Sequence, residues 1–265
     1  MKLIRILQSA LFAMLGLAST MSWAANAVTS SLPATQVMVQ LDNQPALQLD
    51  FPIVPRADQL VNKTLKQLKL SSLDINWQSS ALFDETQPQT LKQDVLMRLA
   101  NEEDFAAMEL KPFWRLLRKQ IHTMRFGTRV FTPIDPDVTA IDSNKNPNLK
   151  GKWLLELRTN ETQVYVFGAV YQSGKFDWQQ RKDAKYYAAQ AGLLTPTVSE
   201  LTVIQPDGVV ETHSVEYWNR HFQEVAPGAT IYVPMPNDHS LFNQSHTPYN
   251  TNSLVIELLR NTYPL

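Results

Sequence analysis

One order of strand and helix patterns runs along this chain twice, and any fold open to it must accommodate both copies. In the first half, Gln36–Leu41 (QVMVQL) alternates with the period of a half-buried strand. Asp42-Asn43-Gln44-Pro45 is a turn and Ala46–Leu49 returns from it. Pro52 and Pro55 break the chain before Ala57–Leu68, where Leu60, Val61, Leu65 and Leu68 recur at helical spacing. A short strand is expected around Leu73–Trp77, and strands resume at Thr128–Thr132.

The second half repeats the order more cleanly. Lys152–Arg158 is a strand, Thr159-Asn160-Glu161 a turn, and Gln163–Val170 (QVYVFGAV) a β-branched and aromatic strand. Ser173-Gly174 turns the chain, and Asp183–Gly192 is a helix stopped by its glycine. A hairpin follows, Leu201–Gln205 and Val209–His213 around Pro206-Asp207-Gly208, and Thr230–Pro234 is the last strand.

This sequence of elements describes a β-grasp-like unit. The expected class is therefore α+β: two tandem β-grasp-like domains, residues 28–149 and 150–236, followed by a tail over 237–265. The first domain carries a helical hairpin insertion at 88–126, made of Thr90–Ala100, a polar acidic stretch Asn101–Glu109 and Pro112–Met124. Asp135–Pro147 reads as a turn-rich connector, which sets the boundary near residue 150. The tail holds an amphipathic helix at 252–262, with Leu254, Val255, Leu258 and Leu259 on one face. About ten helical residues reach only ~15 Å, half of a bilayer core. That helix either docks on its own domain or offers its face to a partner or membrane surface.

The N-terminus narrows the setting. Lys2 and Arg5 precede an apolar run of about a dozen residues, Ile6–Leu17, and Ser22 and Ala24 stand at the −3 and −1 positions of a small-residue cleavage site. This is the order of a secretory signal peptide, residues 1–24, with cleavage after Ala24 or alternatively Ala27. The chain has no cysteine, so disulfides, a lipid anchor on a thiol, thiolate metal sites and cysteine nucleophiles are excluded. The expected location is the periplasm, unlipidated, with stability resting on burial alone. Without residues 1–24 there remain 22 basic and 25 acidic residues, a balance that offers no general surface for nucleic acid. No later stretch of 18 apolar residues exists to span a bilayer. Glycine (8) is scarce and proline (16) plentiful, which suits turns and edge strands over a glycine-rich cofactor fold, so no cofactor is expected.

The second half resembles the soluble-ligand-binding β-grasp (SLBB-like) modules of bacterial polysaccharide export proteins, through VYVFGAV (Val164–Val170), AAQAG (Ala188–Gly192), VIQPDG (Val203–Gly208) and APGATIYVP (Ala226–Pro234). The whole chain resembles the GfcC/YjbG-type family of capsule and exopolysaccharide assembly proteins. That resemblance rests on PRADQL (Pro55–Leu60), INWQSSAL (Ile75–Leu82), NPNLKG (Asn146–Gly151), the helical insertion and the terminal helix. It implies two β-grasp domains in the periplasm and a role in assembling or exporting a surface polysaccharide, without established catalysis.

One local charge anomaly bears on binding. From Lys111 to Arg129 there are six basic residues and no acidic one. On a helical wheel Arg115, Arg118, Lys119, His122 and Arg125 share a face, with Trp114 at its flank and Leu110, Phe113, Leu117, Ile121 and Met124 opposite. Arginine forks match carboxylates in two-point geometry and an indole can stack on a sugar. Trp114, Arg115, Arg118, His122 and Arg125 are thus candidate residues for an acidic glycan or an acidic export partner. The alternative is a solvated face paired with Glu102, Glu103, Asp104 and Glu109. Replacing Arg115 and Arg118 with alanine is expected to impair polymer secretion and leave folding intact.

Enzyme signatures are not met. Gly168–Lys175 (GAVYQSGK) has one residue too many between its glycines for a phosphate loop, and Phe176 replaces the magnesium-binding hydroxyl. Pro147 and Trp153 break a calcium-loop reading of Asp142, Asn144 and Asn146. His213 and His221 fit no zinc spacing, so no metal is expected. The expectation is a non-catalytic factor that binds glycan or a secretion component. A protein-only adaptor or a polysaccharide-modifying enzyme is the alternative.

Overall fold

A computed structural model describes residues 33–195, 198–215, 222–236 and 250–263 of the chain. The leader, His221 and the polar loop of the tail (237–249) lie outside the described residues.

The chain begins with β1 (Thr35–Leu41) and β2 (Gln44–Phe51), an antiparallel hairpin. Asp42 and Asn43 both adopt positive φ, 49° and 65°, as the tight loop of a hairpin requires. Pro45 is tolerated because β2 lies at the sheet edge and the register shifts beside it. Helix α1 (Ala57–Leu68) follows, buries Leu60, Val61 and Leu65 against the sheet, and ends at Lys69 with φ 57°. Strand β3 (Ala81–Asp84) leads into the inserted hairpin α2 (Leu91–Phe105) and α3 (Lys111–Thr123), and then to β4 (Thr128–Val130). Helix α4 (Pro136–Ile141) starts at Asp135, whose carboxylate accepts from the Asp137 amide.

Strand β5 (Gly151–Leu157) corrects the expected boundary at residue 150. It sits at the centre of the first sheet, parallel to β1 and antiparallel to β3, giving the order β2-β1-β5-β3-β4. The first unit therefore closes only after Leu157. The connector before β5 has the composition of a linker, yet it holds α4 and a 3-10 turn, both inside that unit. The strand expected at Leu73–Trp77 is a 3-10 turn at Ser72–Asp74, and the sheet instead uses the short, wholly apolar Ala81–Phe83 with Asp84.

The second sheet is built from β6 (Gln163–Gly168), β7 (Gly174–Asp177), β8 (Glu200–Ile204), β9 (Val210–Ser214) and β10 (Thr230–Val233). Its order, β7-β6-β10-β8-β9, reproduces that of the first, with β10 parallel to β6 where β5 is parallel to β1. Helix α5 (Ala184–Ala191), capped by Asp183 and stopped at Gly192, packs into the same core.

Val164 to Gly168 of β6 are all buried, so the sheet is covered on both faces. The second cover comes from elsewhere in the chain. Val95 and Leu99 of α2, together with Trp114, Leu117 and Ile121 of α3, belong to the core of the second sheet, although the hairpin is inserted in the first. Helix α6 (Thr251–Arg260) joins them through Val255, Leu258 and Leu259, with Leu254 packed at the edge. Its apolar face is thus used inside the molecule, and the docked alternative holds. Beyond α6 the chain is stitched to the first sheet: the Tyr263 amide donates to Arg125 O at 3.1 Å, Gly127 N to Asn261 O at 3.0 Å and Arg129 N to Asn261 Oδ1 at 3.0 Å. No helix among the described residues is long and apolar enough to cross a membrane.

Candidate functional site

The basic face of α3 is only partly as the sequence suggests. Trp114 is 2 % exposed and lies in the core, so it cannot stack on a sugar. Helix α3 is wedged between α2 and the second sheet, which widens its buried arc to include the indole. Arg125 lies beyond the helix end, its guanidinium 5.2 Å from the Tyr263 ring centroid. Arg115, Arg118, Lys119 and His122 do converge, and with Leu96 they line an open groove of about 360 Å³.

Within that groove both arginines lean on one carboxylate. Arg115 Nε stands 2.6 Å from Glu103 Oε1, and Arg118 Nη2 2.8 Å from Glu103 Oε2. The Arg115 hydrogen bond, helped by Arg118, holds the Glu103 carboxyl below its ordinary range against the opposing effect of burial. Of the acidic residues proposed to pair with this face, Glu103 is the one that meets Arg115 and Arg118. Removing both arginines would leave a buried carboxylate without its cations. That substitution therefore perturbs the fold as well as the surface.

A better-formed site lies between the two sheets, drawn from stretches with no shared sequence pattern. A cleft of about 430 Å³ is walled by Trp77, Arg129, Phe131 and Asp135 from the first sheet's unit, Asp207 from the β8–β9 turn and Arg260 from α6. Each side chain has a local reason to be there. Edge strand β4 is held to the tail by the Asn261 contacts, which sets Arg129 beside Arg260. The turn is closed by Gly208 N donating to Gln205 O at 2.8 Å and Val209 N to Asp207 Oδ1 at 2.9 Å. Gly208 has φ 87°, and a Cβ there would stand 2.5 Å from a Phe131 ring carbon, so only glycine lets the ring lie against the turn.

Two guanidiniums lie near that ring. Arg260 is 4.3 Å and Arg129 5.7 Å from the Phe131 centroid. Arg129 Nη2 donates to Pro206 O at 2.6 Å and Arg260 Nε to Gly208 O at 3.0 Å, while Arg260 Nη1 also meets Glu257 Oε2 at 2.8 Å. Among the described residues no carboxylate comes within ion-pair distance of Arg129. Burial lowers its pKa to about 10; Asp207 opposes that shift and Arg260 adds to it.

Behind Arg129 the cleft wall borders a smaller polar chamber of about 60 Å³. There Arg158 Nε lies 2.8 Å from Glu161 Oε1, and burial raises the Glu161 carboxyl despite that cation. Ser79 Oγ and Gln205 Oε1 are buried in the chamber wall with no hydrogen-bond partner among the described residues.

Residues 24–158 match the family model described as capsule biosynthesis GfcC, N-terminal, and residues 172–264 match capsule biosynthesis GfcC C-terminal. The chain belongs to the GfcC capsule biosynthesis family. It is also similar to the uncharacterized protein YjbG of Escherichia coli strain K12, with 28 % identity over 174 residues, 65 % of this chain and 69 % of that protein. The gap between the two GfcC matches, 159–171, contains the passage from β5 to β6 at which the chain changes sheets. The cleft therefore lies where the two GfcC domains face each other. In the sequence Arg129 is the last residue of a basic run and Pro206-Asp207-Gly208 a hairpin turn, while Trp77, Phe131 and Arg260 carry no functional signal.

Proposed function

We propose that this GfcC-family protein is a non-catalytic periplasmic factor in capsule or exopolysaccharide assembly or export, and that it holds glycan in the cleft between its two domains. Family membership supports the pathway, and the leader pattern of residues 1–24 supports export. The observation that carries the binding role is the Phe131 ring beside both Arg129 and Arg260 in an open cleft that Trp77 also lines. Aromatic walls with a few directed polar groups are what a small-molecule or sugar site needs.

Binding without cleavage is favoured by the use of the local carboxylates. Asp135 caps α4 and Asp207 shapes the β8–β9 turn, each through one oxygen on a backbone amide at 2.9 Å. The basic groove on α3 supports a second reading, docking of an acidic component of the export machinery.

Incubation of the purified protein with polysaccharide from the producing cells separates the readings. The expected result is co-elution of protein and polymer with polymer length and reducing ends unchanged. Shortened chains or new reducing ends would make it an enzyme. Absence of binding, with capture of export proteins instead, would make it an adaptor.

A further inference from the structure

The cleft carries information about which sugar it takes. Its lining holds two arginines and two aspartates beside two aromatic rings, so it is neither a cationic trough nor a neutral one. The two arginines differ in how they are compensated. Arg260 has Glu257 at 2.8 Å, whereas the hydrogen bond recorded for the Arg129 guanidinium is to a neutral carbonyl, Pro206 O. Arg129 is half-buried, with Asp207 acting on it only from beyond ion-pair distance, and the open side of the cleft is where a closer counter-charge can reach it.

We propose that the cleft receives a carboxylate-bearing sugar unit, its carboxylate on Arg129 and Arg260 and its ring against Phe131. This deepens the glycan-binding reading and rests on it. A carboxylate is planar and matches the guanidinium fork, and it carries a single charge. A phosphate dianion would face Asp135 and Asp207 across the same cleft and be repelled. Those aspartates suit a sugar instead: each uses one oxygen on a backbone amide, and the second can accept from ring hydroxyls. Phe131 is 43 % exposed, enough to present apolar surface to a sugar beside both guanidiniums.

The test uses two probes that differ only at C6, a β-1,4-linked tetraglucuronate and cellotetraose, titrated into the purified protein by calorimetry. The tetraglucuronate is expected to bind at least about tenfold more tightly, the size of one charge-assisted contact, with an advantage that shrinks as salt is added. Arg129→Gln and Arg260→Gln, each checked for native near-ultraviolet dichroism, are expected to remove that advantage, so that each variant binds the two probes with equal affinity. Equal affinity for the two probes would overturn the carboxylate assignment and leave the glycan reading standing. A preference that survives both substitutions and is lost in Arg118→Gln would overturn it as well, by moving the charge contact to α3. Failure of both probes and of the cells' own polysaccharide to bind would overturn the glycan reading itself.

Discussion

Arg129 Nη2 and Pro206 O meet at 2.6 Å across the two sheets, joining the edge strand of the first to a turn of the second. The contact makes the floor of the cleft and the joint between the domains one structure. Around it the joint is tied at several points: the α2–α3 hairpin lies in the second core, and the tail after α6 pairs back onto β4. Two domains held in this way keep Trp77 and Phe131 at fixed positions relative to Asp207 and Arg260. Such preorganisation lowers the entropic cost of binding.

Gly208 is the residue on which the geometry of the turn depends. Gly208→Ala would place a methyl at φ 87° against the Phe131 ring. The expected loss is ~1–3 kcal/mol of stability from the backbone conformation, with further cost from ring displacement. Chemical denaturation measures the first, and loss of glycan binding by the folded variant reports the second.

Trp114 separates a core role from a surface role. At 2 % exposure among Leu117, Ile121 and the strands of the second sheet, its removal in Trp114→Ala is expected to cost ~3–5 kcal/mol. Trp114→Phe, which keeps most of the volume, should cost clearly less. Wild-type stability with weakened glycan binding would return the indole to the surface.

The local patterns in the sequence were those that one element can satisfy alone. The β1–β2 and β8–β9 hairpins, α1, α5, α6 and the two insertion helices are set by turn residues, caps and periodicity within about a dozen positions. What depended on distant partners was not legible. Ala81–Phe83 has no alternation because it is buried on both faces, whereas Leu73–Trp77 has strand-like residues but begins in a 3-10 turn. Trp114 stood at the margin of the helical wheel, and only the sheet packed behind α3 decides which way it faces. The cleft draws on four separated stretches around residues 77, 129–135, 207 and 260, which no spacing rule connects.

Glu156 gives the fold a pH dependence of defined sign. It is fully buried on β5, accepts from the Asn43 amide at 2.8 Å, and has Arg158 at 4.0 Å. Burial raises its carboxyl above the ordinary range, against the smaller lowering effects of that amide and Arg158. A raised folded-state pKa means that the protonated form contributes stability below the unfolded-state value, and that this is lost as pH rises through the folded one. Glu156→Gln, which preserves the acceptor for Asn43, should therefore gain stability relative to wild type on going from mildly acid to neutral pH. Denaturation midpoints measured across that interval check it; a constant difference would show that Glu156 does not titrate there.

The placement of glycan between the two domains is tested most directly by a crystal structure of the protein with an oligosaccharide cut from the cells' own capsular polymer. The account predicts sugar density in the inter-sheet cleft, with a ring against Phe131 and polar contacts to Arg129 and Arg260. Density confined to the α3 groove at Arg115 and Arg118, with the cleft free of sugar, would contradict it.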